Sequence, residues 1–332
     1  MNNKKDIDLS IIIPAFNVQD YIIDCLLSCL NQKESSLIYE IIVVNDGSSD
    51  KTEDNARKVL DTCAIQSCLV NQSNMGLSIA RNNGLKTAKG KYVWFVDGDD
   101  KLASNSLTSI APDILEGMAE AILIQMGTEI NGKIVPRGFP NGDFKAIYTG
   151  VDILQMLLRQ KVWTPCVPAT IYKREFLRRY NLLMKADIYH EDAEFTPRAY
   201  YYLKSITICS ACLYHVTVRP NSITRSFNPK RNIDLVHVAK SLSDFCHKNV
   251  SLQYKKLYST IISILLNSSL INITSIDKRN WNVYMQAWNN VLLLHFFNSH
   301  YLKHKFCILR FVVIIFLVHV KQSLLIKKLG NN

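Results

Sequence analysis

At 332 residues with 48% apolar content, the chain can bury a full α/β core and still carry an appendage, and no stretch of it is low-complexity or repeated. The formal net charge is +11, yet no stacking aromatics alternate with a basic groove pattern, so nucleic-acid binding is a poor use of that charge. Nine cysteines, an odd number, follow a leader (Met1-Asn2-Asn3-Lys4-Lys5) without an apolar signal run, which argues for a reduced, cytosolic protein.

The first element is predicted at Leu9-Ser10-Ile11-Ile12-Ile13-Pro14-Ala15-Phe16-Asn17, a β-branched strand halted by a proline that cannot continue it. Tyr21, Ile22, Cys25, Leu26, Cys29 and Leu30 recur at helical spacing, and Glu40-Ile41-Ile42-Val43-Val44-Asn45-Asp46-Gly47-Ser48-Ser49-Asp50 repeats the strand-then-turn pattern. Strand, helix, strand at this spacing means a parallel βαβ unit. Asp46, just past the second strand, can accept from a base N–H or a ribose hydroxyl; capping the next helix is the plainer role, and Ser48, Ser49 or Asp50 fit that task.

After a third apolar stretch, Asn74-Met75-Gly76-Leu77-Ser78-Ile79-Ala80-Arg81-Asn82-Asn83-Gly84 reads as a glycine turn entering a helix, with Arg81 one helical turn in and able to reach a phosphate or base. The glycines match neither the G-x-G-x-x-G dinucleotide turn nor a P-loop, which disfavours a nicotinamide dehydrogenase. Then Tyr92-Val93-Trp94-Phe95-Val96 runs without a break into Asp97-Gly98-Asp99-Asp100, a doubly buried strand ending in three carboxylates. Strand alternation would send Asp97 and Asp99 off the same face, with Asp100 opening the turn. Clustered hard oxygen ligands of this kind suit Mg²⁺ or Mn²⁺ and, at the carboxyl end of an α/β strand, a metal-bridged diphosphate; a solvated acidic turn is the plain alternative.

Ser10-Ile-Ile-Ile-Pro14-Ala-Phe-Asn17, Ile42-Val-Val-Asn-Asp46-Gly-Ser-Ser-Asp50, Asn74-x-Gly76-x-x-x-Ala80-Arg81-Asn82-x-Gly84 and Phe95-Val-Asp97-Gly-Asp99-Asp100 stand in the order and spacing of the family 2 glycosyltransferases. The resemblance continues through Val162-Trp163-Thr164-Pro165 with Ile171-Tyr172-Lys173-Arg174-Glu175-Phe176, through His190-Glu191-Asp192-Ala193-Glu194-Phe195, and through Arg219-Pro220-Asn221-Ser222-Ile223-Thr224, so it covers roughly residues 8–226. It implies a GT-A fold, a Rossmann-like mixed but mainly parallel sheet flanked by helices, and inverting transfer from a nucleotide-sugar donor. It also implies Pro14, Asn17, Asp46, Asn74, Gly76, Arg81 and Asp97 at the nucleotide sugar, with Asp46 at the nucleobase; Asp97, Asp99 and Asp100 around Mn²⁺ or Mg²⁺; and Asp192 as general base, with Glu191 orienting it or standing in for it. Asn45 departs from the pattern, since many relatives have aspartate there, and an amide hydrogen-bonds without charge. His190 reads as a structural histidine, and Cys209-Ser-Ala-Cys212, lacking a second pair, as packing residues of a strand over residues 205–214.

Near residue 227 the strand pattern gives way to helical spacing, with Leu235, Val238, Leu242 and Phe245 on one face and a second helix from about Leu257 to Ile273. This gives a domain 1–226 and a helical region 227–332. Residues 301–332 hold six cations and no acid around the fifteen-residue apolar run Phe306–Val320, too short to span a bilayer comfortably but suited to lying on an anionic surface; a core helix of the appendage is the alternative. The expectation is a hexosyl- or N-acetylhexosaminyl-transferase using a UDP-sugar. Its acceptor would be a glycan or lipid-linked glycan in surface polysaccharide biosynthesis, at the cytoplasmic face of the membrane. The competing class is a non-catalytic nucleotide-sugar-binding or scaffold protein on the same fold, against which intact Asp97, Asp99 and Asp192 argue.

Overall fold

The computed structural model describes residues 6–295 apart from 33, 141, 164, 220–227, 272–275 and 277, so the basic apolar run of 301–332 and most of the loop that begins at Arg219 lie outside the described residues. The chain divides into two compact units, Met1–Asp187 with Glu191–Arg225 and Ile188–His190 with Ser226–Asn332, each considered through its described residues.

The first unit is built on one nine-stranded sheet. Strands β1 (Leu9–Ala15), β2 (Tyr39–Asp46), β3 (Gln66–Gln72) and β4 (Tyr92–Phe95) lie parallel in the order β3-β2-β1-β4, with Ile12 level with Ile42 on one side and Phe95 on the other. The sheet continues through β8 (Thr170–Lys173), antiparallel to β4, then β6 (Ala121–Ile130), β9 (Ile206–Val216) and the short β5 (Lys101–Leu102), with β7 (Lys133–Pro136) a hairpin partner of β6. The strand expected around residues 205–214 is β9, and Cys209 and Cys212 flank the register shift that separates them along β6. All eight described cysteines are free.

Every residue of β1 and β2 is buried, which is why both read as continuous apolar runs. Ile11 and Ile13 enter the main core with α1 (Ile22–Leu30) residues Cys25 and Leu26, while Ile12 points the other way, under α3 (Leu77–Thr87). Gly84 makes that second contact: a Cβ there would run into Ile12 and lie 3.3 Å from Val44 Cγ2, so only glycine lets α3 pack this close to β1 and β2. Because β1 continues through β2 to β3 on one side while β4 lies on the other, the topological switch point falls between the carboxyl ends of β1 and β4, where open α/β sheets bind their ligands.

Other helices flank the sheet: α2 (Thr52–Leu60), α4 (Ser106–Glu116), α5 (Gly150–Arg159), α6 (Arg174–Arg179) and α7 (Glu191–Tyr202). Asp50 accepts from the N–H of Thr52, first residue of α2, as the sequence suggests.

In the second unit, α8 (Pro229–Asn249), α9 (Leu252–Ser269) and α10 (Lys278–His295) pack together. The α8 stripe is rotated slightly from expectation: Val238 and Leu242 are buried, but Val236, Ala239 and Cys246 complete the face, and Leu235 and Phe245 are only half-buried. Helix α9 begins and ends earlier than expected. Asn232 Nδ2 donates to the carbonyls of Ser269 and Ile271 at 2.8 and 2.7 Å, tying the start of α8 to the end of α9. Among the described residues, no helix is long and apolar enough to cross a membrane.

Candidate active site

Strand β4 stops at Phe95, one bond beyond which Val96 still donates to Ile12, so the carboxylates stand on a turn and not on the strand. Alternation therefore does not extend to Asp99. The Asp100 N–H closes the turn on the Asp97 carbonyl at 2.9 Å, and each of the three side chains takes a different protein partner. Asp97 pairs with Arg81 at 2.6 Å, and Asp99 with Arg219 at 2.5 Å, whose guanidinium also lies over the Tyr21 ring. Asp100 turns inward, accepting from Tyr214 Oη at 2.7 Å and from the Thr217 N–H at 2.8 Å. Tyr214 Oη in turn accepts the Asp97 N–H at 3.0 Å, so one buried hydroxyl fixes both ends of the turn.

Burial pushes the Asp100 carboxyl up to about 8, with Asp97 and Asp99 adding to the rise, and burial plus Asp97 raise Asp99 as well. Both oxygens of Asp100, expected beside Asp97 and Asp99 as a metal ligand, accept from protein donors. Among the described residues, no three His, Cys, Asp or Glu side chains form a complete metal cage. Asp97 and Asp99 nonetheless fit a small hard cation: both keep part of their side chains exposed (29% and 20%), and Mg²⁺-type ions are held by one or two carboxylates plus substrate phosphates.

Arg81 is at the centre of the site. It is 1% exposed; Nη2 donates to Asp97, and Nη1 donates to Glu191 at 2.9 Å and to Asp192 at 3.1 Å. Nε has no acceptor. Where the sequence reading has Arg81 reaching a base or phosphate, the structure has its two Nη groups on carboxylates. Burial opposes its charge, but Asp97, Asp192 and Glu191 outweigh that and hold its pKa well above the ordinary value. Burial, then Glu191, push Asp192 up to about 8, with Arg81 pulling the other way.

The A-R-N run of α3 now has a physical reading: Arg81 holds the first turn of α7, and Asn82 exchanges two hydrogen bonds with the Met184 main chain at 2.8 and 3.0 Å. Asn83 donates to Gln72 Oε1 and Gln72 Nε2 donates to Asp46, a relay from α3 through the end of β3 to the end of β2.

Asp46 also accepts from the N–H groups of Met75 and Gly76, each at 2.8 Å, and is 3% exposed, so its carboxylate shapes the Gly76 turn. Gly76, at φ +87°, starts α3 with nothing within 4 Å of where a Cβ would be. Asn74 and Met75 are exposed beside it, as is Phe16 next to Pro14. Asn17, at φ +49°, accepts from the Ser49 N–H, and its own N–H donates to Ser48, binding the β1 and β2 loops together. Asn45 faces away from Asp46, toward Asn71 and Glu53, as strand alternation requires. In the second unit, burial and Arg231 hold the His190 imidazole down at about 4, a neutral structural ring. Tyr214, Arg219 and Asn82 are the site-building residues that sequence reasoning passed over; only Arg219 and Asn82, inside matched segments, left a signal.

The model of the family described as "Glycosyl transferase family 2" matches residues 10–180, just over half of the chain and every element that carries Asp46, Arg81 and Asp97–Asp100. The chain belongs to glycosyl transferase family 2. Curated relatives in this family include the uncharacterized glycosyltransferase EpsJ of Bacillus subtilis, 30% identical over 65% of this chain and 62% of EpsJ. Another is a poly(ribitol-phosphate) beta-glucosyltransferase of Bacillus spizizenii, 31% identical over 64% of this chain and 32% of that protein. The chain therefore matches less than two thirds of either relative's length. Among solved structures, Staphylococcus aureus TarS 1–349 in complex with UDP-GlcNAc has the same GT-A fold, with a TM-score of 0.67, 23% identity, and coverage of 85% of this chain and 80% of that one. The Pyrobaculum calidifontis mannosyltransferase PcManGT, in complex with GDP-Man and Mn²⁺, follows at a TM-score of 0.55 and 15% identity, covering 92% and 86%.

Proposed function

We propose that this family 2 chain is an inverting glycosyltransferase that moves a sugar from a UDP-sugar onto a hydroxyl of a glycan or lipid-linked glycan in surface polysaccharide assembly. The carrying observation is the buried Arg81 bridge, which links Asp97 at the β1/β4 switch point to Glu191 and Asp192 at the start of α7. In this reading Asp97 serves the diphosphate side and Asp192 the acceptor side, and one guanidinium ties the two together. TarS bound to UDP-GlcNAc supports uridine, and the poly(ribitol-phosphate) glucosyltransferase supports a polymer acceptor.

In this reading, residues 1–226 are the catalytic domain, and the loops of Pro14, Asn17, Asn74 and Gly76, shaped by Asp46, cradle the nucleotide. Asp97 and Asp99 would hold Mn²⁺ or Mg²⁺, which neutralises charge growing on the leaving diphosphate. Asp192 takes the proton of the acceptor hydroxyl as its oxygen attacks the anomeric carbon; the bond to the diphosphate breaks on the far side, and configuration inverts. Glu191 shares Arg81 with Asp192 and fixes its orientation. The basic segment 301–332 would hold the enzyme at the inner membrane face.

A thermal-shift screen of nucleotide sugars with and without Mn²⁺ tests the proposal, because a ligand bound only by the folded chain raises its Tm. A shift with a UDP-sugar that needs Mn²⁺ is expected. No shift with any nucleotide sugar would overturn it.

A further inference from the structure

The amino end of the same sheet carries a feature the transfer reaction does not use. A groove of about 740 Å³ opens there, lined by five cations: Lys89, Lys91, Lys173, Arg174 and Arg178. They come from the segment entering β4 and from the β8–α6 junction, which the sheet brings together where Lys91 N–H donates to Ile7 and Arg174 N–H to Lys91. The seven residues of β1 separate this edge from the Asp97 edge, roughly 20 Å at the usual rise of a strand.

None of the five cations is in an ion pair among the described residues, although three carboxylates share the groove. Glu175 is engaged by Arg179, and Asp8 accepts the Ile38 N–H at 2.9 Å, which leaves exposed Asp6. Instead of acids, main-chain carbonyls hold the inner cations in place. Arg174 donates to Gly90 at 2.7 Å and Lys89 at 3.1 Å, Lys173 to Gly117 at 3.0 Å, and Lys91 to Ile114 at 3.5 Å. Lys173 and Lys91 thereby satisfy carbonyls at the end of α4 while keeping their full charge. Lys89 and Arg178 stand exposed at the rim. Five cations against three carboxylates leave this concave surface net positive, and cations held in place by carbonyls make it a preorganised anion site.

We infer that this groove is a second binding site, separate from the donor site, for a phosphate-bearing anion. A phosphorylated solute and an anionic lipid headgroup offer the same chemistry, and the test separates them. In the full chain, pyrophosphate is titrated calorimetrically in EDTA, so that no cation is present to bridge it to Asp97 and Asp99. Binding is compared among wild type, K89E/R178E and the milder K89Q/R178Q, whose unchanged Tm verifies folding. Co-sedimentation with phosphatidylglycerol and phosphatidylcholine vesicles is run in parallel.

The expected result is one pyrophosphate site, weakened at least tenfold in K89E/R178E and severalfold in K89Q/R178Q. If wild type ignores pyrophosphate but K89E/R178E loses sedimentation with phosphatidylglycerol alone, the source is the lipid headgroup, and the inference stands. Pyrophosphate and vesicle binding that are both absent, or both unchanged in the two variants, would overturn it, with no bearing on donor binding at the other edge.

Discussion

Arg81 carries one charge against three carboxylates, and its burial makes each of those bonds costly to lose. Removing one partner from a buried ion pair costs about 3–5 kcal/mol, and the 13–29% exposure of these acids places R81M at or below the low end, about 3 kcal/mol by urea unfolding. D192N should keep UDP affinity within about twofold while transfer falls ~10²–10⁴-fold, because an amide cannot take the proton; transfer within threefold of wild type would pass the role to Glu191. With Asp192 held up near 8, kcat/KM should rise with pH along a limb far above the ordinary carboxylate range. R81M should move that limb higher, since Arg81 pulls the value down. The sign for folding is opposite. A carboxyl raised in the folded state favours the native form while protonated, so its contribution declines between about pH 4 and 8.

At the scale of elements, β1, β2 and β4 were legible because burial on both faces writes an unbroken apolar run, and the helical appendage because its spacing changes. Strands β5, β7 and β8 were not, being two to four residues long and lacking the five-residue apolar run, Tyr92 to Val96, that marks the equally short β4. Nor were the separate partners of Asp97, Asp99 and Asp100, since where a strand yields to a turn depends on neighbours: here Tyr214, 117 residues along the chain from Asp97. The partners of Arg81 were hidden for the same reason, Glu191 lying 110 residues away. Y214F removes a hydroxyl that serves both Asp97 N–H and Asp100, so it should cost about 1–3 kcal/mol in urea unfolding and weaken Mn²⁺-dependent UDP binding. Packing gives a second check: G84V should destabilise the sheet by about 1–3 kcal/mol through overlap with Ile12 and Val44, leaving the carboxylate turn chemically intact.

For the whole molecule, charge is the long-range property. More than half of the net +11 lies in residues 301–332, outside the described residues, while the switch-point loops and Arg81 lie before residue 100. Deleting 301–332 should therefore leave UDP affinity unchanged and reduce sedimentation with anionic vesicles. Each Lys or Arg near such a surface contributes ~1 kcal/mol that salt screens, so high-salt washing should weaken attachment of the full chain too. Equal sedimentation with and without the segment, at low and high salt, would remove it as the attachment point.

The loops around the switch point are laced by side chains binding main-chain amides: Asp46 to Met75 and Gly76, Asn17 to Ser49, Asp50 to Thr52 and Gln19. Surface loops usually trade their amide hydrogens with solvent within moments, and these should not. Deuterium uptake at Gly76, Ser49 and Thr52 should be as slow as in neighbouring regular structure before any nucleotide arrives, so donor capture has little ordering left to do and its on-rate should approach that of a rigid cleft.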